Sequence, residues 1–291
     1  MPAQQGAGAG RRPIATGQSG AEGSALSAPA PPGVSSGQLQ AGQVRVMFDR
    51  ISGVYDPMNT AMTAGLHHHW RERAAERTHV GPGARVLDVA TGTGDLAIEL
   101  ARRVSPGGEV VGCDFAEGML ERARAKAAAA DARRVQPRFE WADALELPYE
   151  DDLFDAATVG FGARNFADLH LGLSEMVRVV RPGGRVVVLE LTTPTRPPLS
   201  LFYRLWFDRL VPALGSTAGS IAASLSRRRD DAPRATIADA YTYLPNSVKR
   251  FPAPVALAAE MEQAGLREID YLLTAGGIVA IHAGTVPAER A

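Results

Sequence analysis

The stretch Arg85-Val-Leu-Asp-Val-Ala-Thr-Gly-Thr-Gly-Asp-Leu-Ala-Ile-Glu-Leu-Ala-Arg102 decides the fold. Val86, Leu87 and Val89 form a short apolar run of the kind buried in a parallel strand. The small residues Ala90 to Gly94 make a loop, and a helix starts near Asp95. Leu96, Leu100 and Val104 recur at every fourth position with Ala97 and Ala101 beside them, so one helix face can pack on a sheet. Gly92 and Gly94 carry no Cβ, which lets the backbone approach a ligand beyond the strand's carboxyl end. Strand, glycine turn and helix in this order make a nucleotide pocket.

Gly92-Thr-Gly94-Asp-Leu-Ala97 also fits the loose dinucleotide pattern G-x-G-x-x-G/A. Glu109-Val-Val-Gly-Cys-Asp114 ends in a carboxylate where a ribose-binding acid belongs, whichever nucleotide is bound. Two later features separate the alternatives. Phe139-Glu-Trp-Ala-Asp143-Ala144 places an acid at the end of a third strand, suited to accept the adenine amino group while a neighbouring N–H reaches a ring nitrogen. After the fifth strand the chain closes in a β-hairpin instead of a second mononucleotide half. The pattern favours S-adenosylmethionine over NAD, with a dehydrogenase as the rival.

The 291 residues suffice for one large domain or two small ones, and 45% hydrophobic residues supply a core. A formal net charge of −1 argues against a polyanion-binding surface, so no nucleic-acid partner is expected. A nucleic-acid amino-methyltransferase would also want an Asn/Asp-Pro-Pro-aromatic turn after strand four, where Gly160-Phe-Gly-Ala-Arg164 stands. The single cysteine, Cys113, excludes an internal disulfide and a cysteine zinc cage, and suits a reducing cytoplasm. No apolar run is long enough to span a bilayer. Residues 1–41 are Ala, Gly, Ser, Pro and Gln with few bulky side chains. They read as a flexible tail in preference to a transit peptide. Residues 42–284 form the expected folded domain, with 285–291 a second short tail.

Before the first strand, Val44, Phe48 and Ile51 show helical spacing, followed by a polar turn ending in Asp56-Pro57. A second helix covers Gly65 to Thr78. Segments in this position commonly fold over the carboxyl edge of such a sheet, which makes Tyr55, Asp56 and Asn59 candidate pocket residues; turn formation and capping are the alternative. His67-His68-His69 point about 100° apart on a helix, so the three do not converge on one ion and no metal is expected. Glu117 to Arg134 reads as a helix and Phe154 to Gly160 as strand four, running into the loop Phe161-Gly-Ala-Arg164-Asn165-Phe166. The helix Asp168 to Val180 is stopped by Arg181-Pro-Gly-Gly184, and Arg185 to Leu191 is strand five. Arg267 to Leu273 and Gly277 to Ala283 make the closing hairpin. Repeated alternation of strand and helix implies an α/β, doubly wound, mostly parallel sheet. Residues 199–211 are oily and amphipathic: a lid for a greasy substrate, a peripheral membrane contact, or a cover for the sheet. Residues 216–235, with Arg227-Arg-Arg229, read as a mobile insertion.

Taken together, Met47-Phe-Asp-Arg-Ile51 with Tyr55-Asp56 and Asn59, Gly65-Leu-His67 with Trp70, Thr91-Gly-Thr-Gly-Asp95, Phe161-Gly-Ala-Arg-Asn165, Arg181-Pro-Gly-Gly184, and Tyr241-Thr-Tyr-Leu-Pro-Asn-Ser247 with Phe251-Pro252 resemble the UbiE/MenG/COQ5 family of quinone C-methyltransferases over residues 44–284. The glycine motif belongs to methyltransferases at large; the Phe-Gly-x-Arg-Asn and Tyr-x-Tyr-Leu-Pro-x-Ser blocks are more specific. The resemblance implies a seven-stranded class I methyltransferase fold with N-terminal helices over the carboxyl edge. It also implies methyl transfer from S-adenosylmethionine to a polyprenylated hydroquinone: demethylmenaquinol first, a ubiquinone precursor second. A non-catalytic S-adenosylmethionine-binding module is the remaining alternative. Carried over by position, cofactor contacts fall on Thr93, Asp114, Asp143 and Ala144, beside Gly92 and Gly94. Arg164 is read as catalytic, facing the cofactor to hold a water or lower the quinol hydroxyl's pKa by its charge, with Asn165 and Tyr55 orienting that water or the quinol oxygens; a surface salt bridge is the alternative for Arg164. Cytoplasmic localisation, peripheral at the membrane's inner face, and a homodimer are compatible with this reading. Gly160 stands where the family has a serine, His68 replaces a common basic residue, and the stretch before Tyr241 is longer than usual.

Overall fold

The computed structural model describes residues 41–131, 133–194, 197, 200–201, 243 and 245–288. The tail 1–40, most of 199–211, the stretch 216–235 and Tyr241 lie outside the described residues. Seven strands form one sheet: β1 (Arg85–Val89), β2 (Glu109–Asp114), β3 (Arg138–Trp141), β4 (Phe154–Gly160), β5 (Val180–Leu191), β6 (Arg267–Thr274) and β7 (Val279–Thr285). Their order is β3-β2-β1-β4-β5-β7-β6. The first five run parallel, and β7 enters antiparallel between β5 and β6. The order reverses between β1 and β4, and a ligand crevice opens outside the carboxyl ends at such a point.

Alternate residues of the central strands serve the two faces of the sheet, as the pleat requires. Leu87, Val89, Val111 and Val188 join Leu173, Met176, Leu257 and Met261 in one buried cluster. These last four belong to α5 (Leu169–Val179) and α6 (Pro254–Gln263). Val86, Val110 and Val187 pack on the other face with Trp70, Leu96, Leu100 and Leu120. The expected stripe of α3 (Asp95–Val104) is buried: Leu96, Ala97, Leu100, Ala101 and Val104.

Several boundaries differ from the sequence reading; the last strand runs Val279–Thr285 instead of Gly277 to Ala283, and Val286 is buried in the core, so the expected tail begins later than 285. The expected turn at Asp56-Pro57 is absent, because α1 runs unbroken from Ala41 to Thr63 with Pro57 inside it. Tertiary contacts outweigh the missing N–H of proline: Val44, Met47 and Ile51 are buried, and Asp49 Oδ1 accepts from Gly118 N at 2.9 Å. The helix α2 (Leu66–Arg77) follows. The next difference is in α4 (Glu117–Ala128), which stops short of Arg134. There Asp131 Oδ1 accepts from Arg133 N at 3.1 Å, a local turn that competes with helix. Finally, β5 starts at Val180 instead of Arg185, since Val180 pairs with Phe154 before the register shifts to Ala156↔Arg185. Arg181-Pro-Gly-Gly184 ends α5 and forms the bulge.

Leu87 lies at 0% exposure on the central strand, in a cluster fed by both neighbouring strands. Leu87→Ala should cost about 2–5 kcal/mol of unfolding free energy, read as a lower urea midpoint; an unchanged midpoint would contradict this packing.

Candidate active site

A cavity opens at the carboxyl edge where the loops after β1, β2 and β4 meet α1 and α2, lined by Tyr55, Arg71, Asp88, the loop Ala90–Thr93, Asp114, Asp143–Leu145, Gly160–Gly162 and Asn165–Ala167. Asp114 ends β2, and its carboxylate accepts from Gly92 N at 2.8 Å and from Ala116 N at 2.9 Å. Gly92 has φ 57°, and a Cβ there would stand in open space. A side chain would therefore project from the turn where a ligand must approach. Gly94 has a different use: its φ is 83°, and a Cβ would meet Phe139 and Ala123. Its missing side chain makes room for packing, and it does not line the cavity. Ala90 and Phe161 take left-handed backbones on the cavity wall, with φ 50° and 61°, the sort of local strain that clusters at ligand sites.

Burial pushes the Asp114 carboxyl up to about 6, against the pull of its backbone N–H partners. Burial likewise lifts Asp88 to about 6; its oxygens accept from the Thr91 and Thr158 hydroxyls at 2.6 and 2.7 Å. Asp143 and Ala144 line the cavity just past β3, where Asp143 Oδ1 accepts from Leu145 N at 2.9 Å.

Of the candidates on α1, Tyr55 lines the cavity. Asp56 sits behind the wall, where Oδ1 accepts from the Thr93 hydroxyl at 2.6 Å and Oδ2 pairs with Lys126 Nζ at 2.7 Å. Asn59 is not among the lining residues; its carbonyl accepts from Thr63 Oγ1 at 2.7 Å. These are helix positions, which corrects their reading as turn residues.

Arg164 is corrected too. Its guanidinium does not line the cavity but is buried behind it. Arg164 Nη1 donates to Glu190 Oε1 and to Phe161 O, both at 2.6 Å. Burial pulls its pKa down, but Glu190, with Tyr55 and Tyr243, outweighs this and leaves it above the ordinary value. Asn165 does line the cavity, and the Tyr243 hydroxyl donates to its Oδ1 at 3.0 Å. The structure thus joins Thr93, Asp114, Asp143, Ala144, Gly92, Tyr55 and Asn165 in one cavity wall, with Arg164 one layer behind.

Sequence reasoning missed Asp88, Glu190, Arg71 and Tyr243. For the first two a signal exists: an ionisable residue inside an apolar strand is rarely buried unless it is partnered. Asp88 and Glu190 are each 1% exposed. The histidines also need revision. One ligand atom each from His67, His68 and Asp95 lies within 4.8 Å of the others. Yet His67 faces Arg71 Nη1 at 2.5 Å and Thr60 Oγ1 at 3.2 Å, and Asp95 binds Lys126 at 2.6 Å. Two resident cations suit this corner poorly to a metal ion.

Residues 36–286 match the model of the ubiE/COQ5 methyltransferase family. The chain belongs to that family. The demethylmenaquinone methyltransferase of Thermus thermophilus is 45% identical over 241 residues, covering 83% of this chain and 100% of that protein. The ubiquinone/menaquinone biosynthesis C-methyltransferase UbiE of Geobacter sulfurreducens is 37% identical, covering 84% and 88%. Among solved structures, an S-adenosylmethionine-dependent methyltransferase of Thermotoga maritima, described as a possible histamine N-methyltransferase, aligns with TM-score 0.52 at 17% identity. It covers 82% of this chain and 99% of that one, and shows the fold alone. The chain is thus a class I methyltransferase by fold and a C-methyltransferase of quinone biosynthesis by family, and both imply S-adenosylmethionine as methyl donor. The cavity fits that cofactor: an acid fixed by two N–H groups, a turn without a Cβ, and a second acid past β3 match a ribose and an adenine.

Asp88 titrates near 6 in the fold against 3.8 for an unperturbed aspartate. The folded state therefore binds more protons than the unfolded chain between about pH 4 and 6. That contribution to stability is full below this window and is lost as pH rises through it. Urea unfolding of Asp88→Asn should accordingly show less loss of stability than the parent between about pH 4.5 and 7. Parallel pH profiles would contradict the assignment.

Proposed function

We propose that the chain transfers a methyl group from S-adenosylmethionine to a ring carbon of a polyprenylated hydroquinone, with demethylmenaquinol becoming menaquinol. The observation that supports this most is the shared cavity, whose wall holds the acids Asp114 and Asp143 together with Asn165 and Tyr55. The relatives named for demethylmenaquinone methylation favour that quinol over the ubiquinone precursor.

When bound, S-adenosylmethionine supplies an electrophilic methyl on a sulfonium. The protein's task is to make the acceptor carbon electron-rich. A phenol of pKa about 10 resists ionisation at pH 7 by about 4 kcal/mol. Arg164 stays protonated and cannot take the proton. Its charge is also largely answered by Glu190 at 2.6 Å, so it does not act as a bare cation. We assign Arg164 to holding the Phe161–Asn165 loop: it binds Phe161 O from within and Glu190 from beneath. Because Asn165 Oδ1 receives the Tyr243 hydroxyl, the Asn165 amide NH2 is turned to donation. It can hold a quinol oxygen as it gains negative charge, while water carries the proton away. Tyr55 on α1 orients the same oxygen, and the rest is placement of carbon against methyl.

A polyprenyl tail needs a lipid surface, so we place the reaction at the inner face of the membrane, with residues 199–211 making the contact. Among the described residues no helix is long and apolar enough to cross a membrane. Residues 42–284 act as one catalytic domain in this reading.

Methyl transfer from labelled S-adenosylmethionine to demethylmenaquinol, with the ubiquinone precursor in parallel, tests the substrate. Arg164→Ala should lower turnover by about a hundredfold or more and leave cofactor affinity nearly intact. Parallel loss of both would refute the role given to Arg164.

A further inference from the structure

Arg71 is a charged residue that the mechanism above does not use. It lies on α2, is 7% exposed, and lines the same cavity as Asp88 and Asp114. Its Nη1 donates to His67 Nδ1 at 2.5 Å and to His67 O at 3.1 Å, and its guanidinium lies 5.4 Å from the centre of the Phe161 ring. Burial and the charge of Arg71 push His67 down to about 4, so near pH 7 it is a neutral acceptor that leaves the positive charge on Arg71 intact. The nearest carboxylate, Asp95, stands at 3.7 Å and is held more closely by Lys126 at 2.6 Å. Arg71 is therefore fixed in place by His67, and among the described residues no carboxylate lies within hydrogen-bond distance of its guanidinium.

The cavity's charges favour one kind of ligand. Among the described residues that line it, three are acids, Asp88, Asp114 and Asp143, and Arg71 is the one cation. S-adenosylmethionine carries the converse set: a sulfonium and an ammonium against one carboxylate. Sheet order gives the direction. Adenine and ribose belong over β3 and β2, where Asp143 and Asp114 stand, so the amino-acid end must cross the Ala90–Thr93 loop above β1 toward β4. Arg71 waits there, between Asp95 at the start of α3 and Phe161 just after β4.

Resting on the cofactor reading above, we propose that the Arg71 guanidinium receives the α-carboxylate of the methionyl group of S-adenosylmethionine. Arg71 is then a cofactor-positioning residue. It fixes the end of the tail, and with it the sulfonium that the tail carries between two anchors. A guanidinium offers paired donors to a planar carboxylate, which a lysine ammonium does not reproduce.

The test is calorimetric titration of the full chain, the Arg71→Met variant and the Arg71→Lys variant. The ligands are S-adenosylmethionine, its decarboxylated analogue and 5′-methylthioadenosine, which lacks the amino-acid end. The parent should bind S-adenosylmethionine about 10- to 100-fold more tightly than the decarboxylated compound. Arg71→Met should lose a similar factor for S-adenosylmethionine alone, and Arg71→Lys should restore part of it. Losing the residue and the carboxylate together should cost little more than losing either. Equal weakening of all three ligands, or unchanged binding of S-adenosylmethionine, would overturn the assignment. Should the variants fail to fold, the parent decides alone: equal affinity for the carboxylated and decarboxylated ligands overturns it. If the parent binds none of the three, the cofactor reading fails, and this assignment with it.

Discussion

The Asp114 carboxylate, held by Gly92 N and Ala116 N, joins the loops that follow two neighbouring strands. It depends on the β1–β2 register, in which Val89 lies opposite Cys113 and Thr91 N continues the ladder to Cys113 O at 2.9 Å. A shift of one residue would turn Asp114 to the other face and leave the glycine loop unsupported. Backbone N–H groups answer the charge, with no guanidinium or ammonium paired to it among the described residues. The acid thus remains available to hydroxyls and to a cationic ligand.

From that anchor the cavity grows along the sheet. Toward β3 it reaches Asp143 and Ala144; toward β4 it reaches Gly162 and Asn165. Above it, α1 is fastened at two points, by Asp49 to the start of α4 and by Asp56 to Thr93 and Lys126. The same helix that brings Tyr55 to the cavity therefore touches the glycine turn. One covering element thus reaches both the glycine turn and the cavity wall.

The strand, loop and helix from Arg85 to Arg102 could be read from the sequence because their signals are local: apolar run, small residues, then a period near four. Asp114 was legible for a related reason, as the last residue of a buried strand. Arg164 was legible as a residue but not as a geometry. Its partner Glu190 lies 26 residues on, at the end of β5, and nothing local says that they meet. Arg71 carries no local signal, because its place is set by burial in the cavity wall beside Phe161 and Asp95. The continuity of α1 through Pro57 also depends on distant contacts that outweigh a local break.

A crystal structure with S-adenosylhomocysteine bound tests the central claim most directly. The ribose hydroxyls should lie within hydrogen-bond distance of Asp114, the adenine beside Asp143 and Ala144, and the sulfur over the Ala90–Thr93 loop, facing Asn165. Ligand density in another cleft, or an adenosine lying across this cavity with its ribose away from Asp114, would contradict it.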